Sequence, residues 1–356
     1  MTSMTAPFGV WQEMVGGVDT HKATHHVAVL DAGGARVADR EFPTTAAGCT
    51  ALVGWLAGHG VRRVGVEQSG TYGAGLTRAL TRAGLVVIEV NQPDLSVRAM
   101  HGKSDPIDAY MAAEAVRSGR ARTVPKDRSG VIEAIRMLHT VRRAAVKDRA
   151  ATLTQIADLA ITVPADLRAT LGATSKDIAR TSLRLRPDPA RLAEPDQAAK
   201  SALRALARRI HALDEQIADL DADLTPLVAA TAPHLLARPY VGINAAAQLL
   251  VTAGQNIERL HSEAAFARLT GTAPIPASSG QSHRMRLHRG GDRAANSTIH
   301  LIAVGRLRSH PPAQDYLARR TSQGLSKKDA IRAMKRLIAR ELYGALKADL
   351  TTLDSI

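Results

Sequence analysis

The chain is nearly without cysteine: Cys49 stands alone among 356 residues. That excludes an internal disulfide framework and a cysteine-rich zinc site. Aromatic residues make up only 3% of the sequence, so a core has to be built from Ala, Leu, Val and Ile, within a hydrophobic fraction of 45%. No apolar run reaches the roughly twenty residues of a membrane span. Residues 1–14 lack the basic-then-apolar order of a secretion signal, so the expected setting is the cytoplasm, with no membrane partner. Acids are missing from one particular place. Residues 280–340 carry 14 Lys and Arg against 3 Asp and Glu, which is most of the net charge of +14. Positive charge concentrated in this way attracts polyphosphate and releases counterions on binding, and it points to nucleic acid.

Apolar runs and turn residues divide the chain into three expected parts: 1–125, 126–237 and 238–356. In the first, Val15–Asp19, His26–Leu30 and Arg36–Phe42 read as strands, the last two joined by the turn Asp31-Ala-Gly-Gly34. Thr44–Gly58 reads as a helix, Arg63–Glu67 as a strand, Gly73–Ala83 as a helix, Leu85–Val90 as a buried strand and Asp105–Ser118 as a helix. The order β-β-β-α-β-α-β-α gives an α/β domain of the RNase H or RuvC sort. Residues 129–159 then read as helical, and Pro187, Pro189 and Pro195 mark a loop. Leu203, Leu206, Ile210, Leu213, Ile217, Leu220, Leu224 and Leu227 step by 3 and 4 in strict alternation, a heptad seam. Such a seam serves equally for a coiled-coil dimer or for a helical hairpin with residues 129–159. The last part is expected to be mostly helical and basic. In it, Val241-Gly-Ile-Asn244 is followed by an Ala-rich helix, and the loop 271–293 leads to helices near 294–308 and 327–346.

Asp19 ends the first strand and Glu67 the fourth. Ligands of open α/β sheets sit beyond the carboxyl ends of the strands, so both acids are expected in one crevice. Asp105 and Asp108 lie three apart on one helix and share a face. Four carboxylates together repel one another unless cations intervene. Hard divalent ions such as Mg²⁺, with Mn²⁺ as a substitute, suit oxygen ligands and phosphodiester displacement. His21, His25 and His26 read as surface or substrate-loop residues, because the segment is strand and turn rather than helix.

Downstream, Pro276-Ala-Ser-Ser-Gly280 is a loop of small residues leading into His283, Arg284, Arg286, His288, Arg289 and Arg293. Gly280 permits close approach of a phosphate, and the cations suit developing negative charge. A serine there needs activation to act as a nucleophile, and local chemistry does not separate Ser278 from Ser279. Lys103, Lys327 and Lys328 join Arg284, Arg286, Arg289 and Arg293 as expected nucleic-acid contacts.

Several stretches together resemble the IS-one-ten family of insertion-sequence transposases. They are Val18-Asp-Thr-His-Lys22, Val66-Glu-Gln-Ser-Gly-Thr-Tyr72, Asn91-Gln-Pro93, Lys103-Ser-Asp-Pro-Ile-Asp-Ala109, Gly271-Thr-Ala-Pro274, Ser278-Ser-Gly280 and Arg289-Gly-Gly-Asp-Arg293. The resemblance spans about residues 15–125 and 238–346. It implies a RuvC-like domain whose tetrad Asp19, Glu67, Asp105 and Asp108 holds Mg²⁺. It further implies Ser279 as the nucleophile, forming a phosphoserine link to cleaved DNA in a C-terminal transposase domain. The implied partners are donor and target DNA, a structured bridge RNA that pairs with both, and further copies of the chain as a dimer or tetramer. The implied location is the bacterial nucleoid. Residues 160–200 match nothing in that family's pattern.

Three other readings stand beside this one. A structure-specific nuclease of the RuvC or RNase H kind uses only the acids and forms no covalent intermediate. An actin-like kinase needs a second glycine-rich phosphate-binding half, where residues 130–240 read as helix. A non-catalytic nucleic-acid-binding protein would carry the acids for structure alone.

Overall fold

Five short apolar runs pair into a single mixed sheet at the start of the chain. The computed structural model describes residues 13–91, 104–278, 280 and 285–353. The chain divides into two units, Met1–Arg128 and Ser129–Ile356. In the first, β1 (Val15–Thr20), β2 (Thr24–Leu30) and β3 (Arg36–Pro43) are antiparallel neighbours, while β4 (Arg63–Glu67) and β5 (Val86–Val90) run parallel to β1. The sheet order is β3-β2-β1-β4-β5. All six residues of β1 are buried, as a central strand covered on both faces requires.

Alternation along the strands decides which face each helix covers. Val18, Val27, Val29, Val64 and Val66 meet α1 (Ala46–Gly58) and α2 (Ala74–Arg82) through Leu52, Leu56, Leu76 and Leu80. The residues between them face the other way, onto α3 (Asp105–Arg117), where Ala28 and Leu30 pack with Ala109, Tyr110 and Ala113. Gly17 and Gly65 lie on this second face because α3 rests directly on the strands. A Cβ on Gly17 would sit 2.2 Å from the Ala109 carbonyl oxygen, and one on Gly65 would sit 2.6 Å from that of Ala112. Asp19 and Glu67, two residues further along the same strands, share that face.

The second unit is helical apart from one small hairpin. Its elements are α4 (Gly130–Thr162), α5 (Ala165–Ala169), α6 (Ser175–Ser182), α7 (Pro195–Thr231), α8 (Pro233–Leu236), α9 (Ile243–Ala253) and α10 (Glu263–Leu269). They are followed by β6 (Pro274–Pro276) and β7 (Met285–Leu287), then α11 (Arg293–Ser309), α12 (Pro311–Ser322) and α13 (Lys327–Leu353). The heptad seam lies on α7 and packs against α4 of the same chain. Leu203 and Ile210 join Ile156 and Ala160 at one end, and Leu224 and Val228 join Ile132 and Ile135 at the other. Arg142–Asp221 and Arg149–Asp214 ion pairs close the flanks. Pro187, Pro189 and Pro195 mark a loop as expected, with one 3-10 turn at Pro189–Arg191, but the segment before them is more regular than the sequence suggests. It forms α5 and α6, whose Leu167 and Ile178, with Leu171 between them, are buried on the α4–α7 hairpin. A larger core joins α9, α10, α11 and α13 through Leu249, Leu250, Phe266, Ile299, Ile338 and Leu342.

The seat of α3 yields a paired prediction. Gly17→Ala pushes α3 off the sheet and lowers unfolding stability by about 2 kcal/mol or more. Gly54→Ala, in α1 with open space around it, raises stability by about 0.5–1 kcal/mol. Urea unfolding of the two variants reads both signs.

Candidate functional site

β1 and β4 end side by side, and their register determines what they present. Val18 pairs with Val66, so Asp19 and Glu67 stand abreast at the carboxyl ends of two parallel strands. The Thr20 hydroxyl donates to the Glu67 carbonyl at 3.0 Å and ties the two ends together. Asp19 is 6% exposed and Glu67 9%. Helix α3 begins at the same end because its alanines sit on Gly17 and Gly65. Its first turn carries Asp105, half-exposed, and Asp108, which is buried.

A third kind of ligand joins them. After β1 the chain turns tightly, with the His21 amide donating to the Thr24 carbonyl. His21 Nε2 lies 3.1 Å from Asp19 Oδ2 and 3.3 Å from Asp105 Oδ1. Ligand atoms of Asp19, His21 and Asp105 all fall within 4.8 Å of one another. Yet Asp19 Oδ2 and His21 Nε2 are both buried without a hydrogen-bond partner among the described residues. Close approach without hydrogen-bond geometry is what two ligands show when both are aimed at a common point. Burial pushes the Asp19 carboxyl above its usual range; His21 pulls it back, while Asp108 and Asp105 push it further up. His21 is a half-exposed loop residue, as expected, but the β1–β2 turn also folds its ring back onto the acids, a placement the sequence reading did not give it. His25, four residues on, is buried in β2 rather than at the surface, and burial followed by His21 pulls its pKa down. Glu67 and Asp108 border the trio but do not belong to it.

Two carboxylates and an imidazole, with orphaned atoms between them, fit a divalent cation. Carboxylates favour Mg²⁺ and Mn²⁺, and the nitrogen ligand accommodates Mn²⁺ in particular.

The second unit carries the cations expected from the sequence. Arg286, on β7, is exposed opposite Ile275. Arg289 and Arg293 are exposed at the edge of a cavity. Lys327 and Lys328 open α13, also exposed. Lys103, Ser279 and Arg284, with Gln92-Pro93 of the Asn91-Gln-Pro93 motif, lie outside the described residues. Ser279 falls in the segment joining β6 to β7. Among the described residues, no helix is long and apolar enough to cross a membrane.

Comparison with known proteins gives matches in both units. A family model of DEDD transposases matches residues 16–161, and a model described as "Transposase IS116/IS110/IS902 family" matches residues 232–318. The chain is 31% identical over 145 residues to the "Insertion element IS110 uncharacterized 43.6 kDa protein" of Streptomyces coelicolor, covering 40% of this chain and 36% of that protein. It is 26% identical over 188 residues to the "Insertion element IS900 uncharacterized 42 kDa protein" of Mycobacterium paratuberculosis, covering 52% of this chain and 47% of that one. The matched stretches thus span between about a third and a half of these relatives' lengths.

The trio makes a specific demand on His21. Replacing it with Ala is expected to weaken Mn²⁺ binding about tenfold or more, read by calorimetric titration of the intact chain. An unchanged affinity would make the ring a bystander.

Proposed function

This chain belongs to the IS116/IS110/IS902 family of transposases, and from that premise we propose that it cuts and rejoins DNA as a metal-dependent recombinase. The observation that carries the proposal is the convergence of Asp19, His21 and Asp105 at the carboxyl end of β1, with two buried ligand atoms left without hydrogen bonds. The sheet order β3-β2-β1-β4-β5, with three antiparallel strands leading into parallel ones, supports the RNase H/RuvC reading of the first unit. In this reading the tetrad is Asp19, Glu67, Asp105 and Asp108, and Mg²⁺ is the resident ion. Such an ion supplies positive charge to the phosphoryl oxygens and the leaving oxygen during displacement.

The chain's own residues do the rest. Asp19 and Asp105 hold the ligand atoms apart, and the seat of α3 on Gly17 and Gly65 fixes that spacing. Ser279 is the nucleophile: its Oγ forms the new bond to phosphorus, its proton leaves to a base, and the sugar oxygen departs with the electron pair of the broken P–O bond. The phosphoserine link conserves the energy of the broken phosphodiester for rejoining. Arg284, Arg286, Arg289, Arg293, Lys103, Lys327 and Lys328 hold nucleic-acid phosphates. Donor and target DNA are the substrates, a structured bridge RNA supplies the sequence recognition, and two or four copies of the chain act together. If RNA does the pairing, the protein reads backbone shape and charge rather than sequence. The low aromatic content suits gripping phosphates better than stacking bases.

The test is incubation of the intact chain with the element's DNA, its flanking RNA and Mg²⁺. A covalent protein–DNA band is expected, and Ser279→Ala abolishes it. Asp105→Asn lowers strand cleavage about a thousandfold or more, because several kcal/mol of charge stabilisation is lost. Cleavage that survives Ser279→Ala with no trapped adduct would replace this reading with a RuvC-like nuclease that uses only the acids.

A further inference from the structure

The second unit contains a cavity of about 460 Å³ that the acid-based chemistry leaves unused. It lies at the base of the β6–β7 hairpin, where two glycine motifs clasp. Gly271 has φ +64°, and a Cβ on Gly291 would sit 2.3 Å from the Gly271 nitrogen. The Asp292 amide donates to the Leu269 carbonyl at 2.6 Å and closes the clasp. Asp292 is the nearest acid in sequence, and its carboxylate is already engaged. Oδ1 accepts from the Ala294 and Ala295 amides to cap α11, and Oδ2 accepts from the Thr252 hydroxyl at 2.8 Å. Thr252 in turn accepts from Gln248, whose carbonyl accepts from Arg143.

The lining contains no Asp or Glu. The first turns of α11 contribute Arg293, Asn296 and His300, spaced to share one face. Arg289 comes from the loop and Lys335 from α13. Lys335 is only 8% exposed. Its Nζ donates to Asn296 Oδ1 at 2.6 Å. Asn296 Nδ2 donates to the carbonyls of Thr270 and Gly271, at 2.9 Å each, and this fixes which end of the amide the lysine meets. An ammonium has three donors; among the described residues this one has a single partner, and that partner is neutral. Burial, and then Arg332, pulls the Lys335 pKa down. His288 Nδ1, in the same lining, is buried without a hydrogen-bond partner among the described residues. A buried cation without an anion is costly. A pocket of cations without carboxylates repels metal ions and attracts phosphate.

We propose that this cavity seats a backbone phosphate of bound nucleic acid, held by Lys335 from within and by Arg289 and Arg293 at the rim. The inference rests on the reading of the chain as a DNA-processing enzyme, and it adds Lys335 to the residues that meet the substrate. Asn296 is a positioning residue: it aims the ammonium.

The test measures binding, not cleavage. The intact chain is titrated into a short fluorescent DNA duplex in EDTA at several NaCl concentrations. The exposed pair Arg289→Gln/Arg293→Gln, which leaves the core untouched, is expected to weaken binding about tenfold. It should also make the slope of log K against log [NaCl] shallower by about 2. Lys335→Gln, with folding checked by circular dichroism, makes it shallower by about 1. In a parallel arm, inorganic phosphate raises the wild-type melting temperature above that in chloride at equal ionic strength, and Lys335→Gln loses the rise. An unchanged slope in the folded arginine pair overturns the proposal. So does a phosphate response without any change in duplex binding, because the cavity then takes free phosphate. All these readouts are taken in EDTA without cleavage, so a chain that binds as expected but does not cleave contradicts the proposed activity and not this site.

Discussion

A carboxylate buried at the tip of a central strand, facing two more carboxylates, is the constraint on which the first unit depends. Asp19 has little solvent to stabilise its charge, and Asp105 and Asp108 add repulsion. Removing a charge from water costs several kcal/mol unless a partner compensates. The His21 ring, 3.1 Å from Asp19 Oδ2, compensates only in part. The arrangement makes physical sense as a cation site whose ligands are held ready, with the strain of that readiness borne by the fold. Gly17 and Gly65 are the means: they let α3 lie on the sheet closely enough that its first turn reaches the end of β1.

The second unit is built the opposite way. Its surplus charge is positive, and its buried polar groups hold the chain's own carboxylates in other contacts rather than at the cavity. The chain Arg143–Gln248–Thr252–Asp292 commits the one acid of the Arg289-Gly-Gly-Asp-Arg293 motif to capping α11. Glu263 is likewise taken by Arg340 and Arg336, which draw its carboxyl down to about 2. Arg306, nearly buried, is matched by Glu341. Among the described residues Lys335 has no such acid, and the proposed phosphate seat rests on that exception. Acid clusters favour cations and cation clusters favour phosphate, and the proposed phosphodiester chemistry calls for both.

Much of this was legible in the sequence where the signal is periodic or punctuated. Strand alternation, the Asp31–Gly34 turn and the glycines closing α2 and α3 locate every strand of the sheet to within a few residues. The positions of Asp19 and Glu67 at adjacent strand ends follow from the same reading. His21 was not legible, because its role depends on a four-residue turn that redirects one ring, and no periodicity encodes that. The prolines at 187–195 announced a loop correctly, but the two short helices before it were hidden, because Leu167, Leu171 and Ile178 are too few and too widely spaced to show a helical period. The seam on α7 was visible as a heptad, but a heptad does not say which helix it meets; here it is α4 of the same chain. Lys335 escaped notice because a lysine on the apolar side of an amphipathic helix reads as a surface residue. The proposed role of Ser279 rests on its motif alone, since that residue lies outside the described residues.

The claim that the first-unit acids form a cation site, rather than a structural cluster, is tested most directly by melting the wild-type chain and Asp19→Asn in EDTA and again in Mg²⁺. The account predicts that Asp19→Asn melts higher than wild type in EDTA, because it removes a repelled and buried charge. It also predicts that Mg²⁺ raises the wild-type melting temperature while leaving the variant unmoved. A variant that melts lower than wild type in EDTA, with Mg²⁺ shifting both equally, would contradict it.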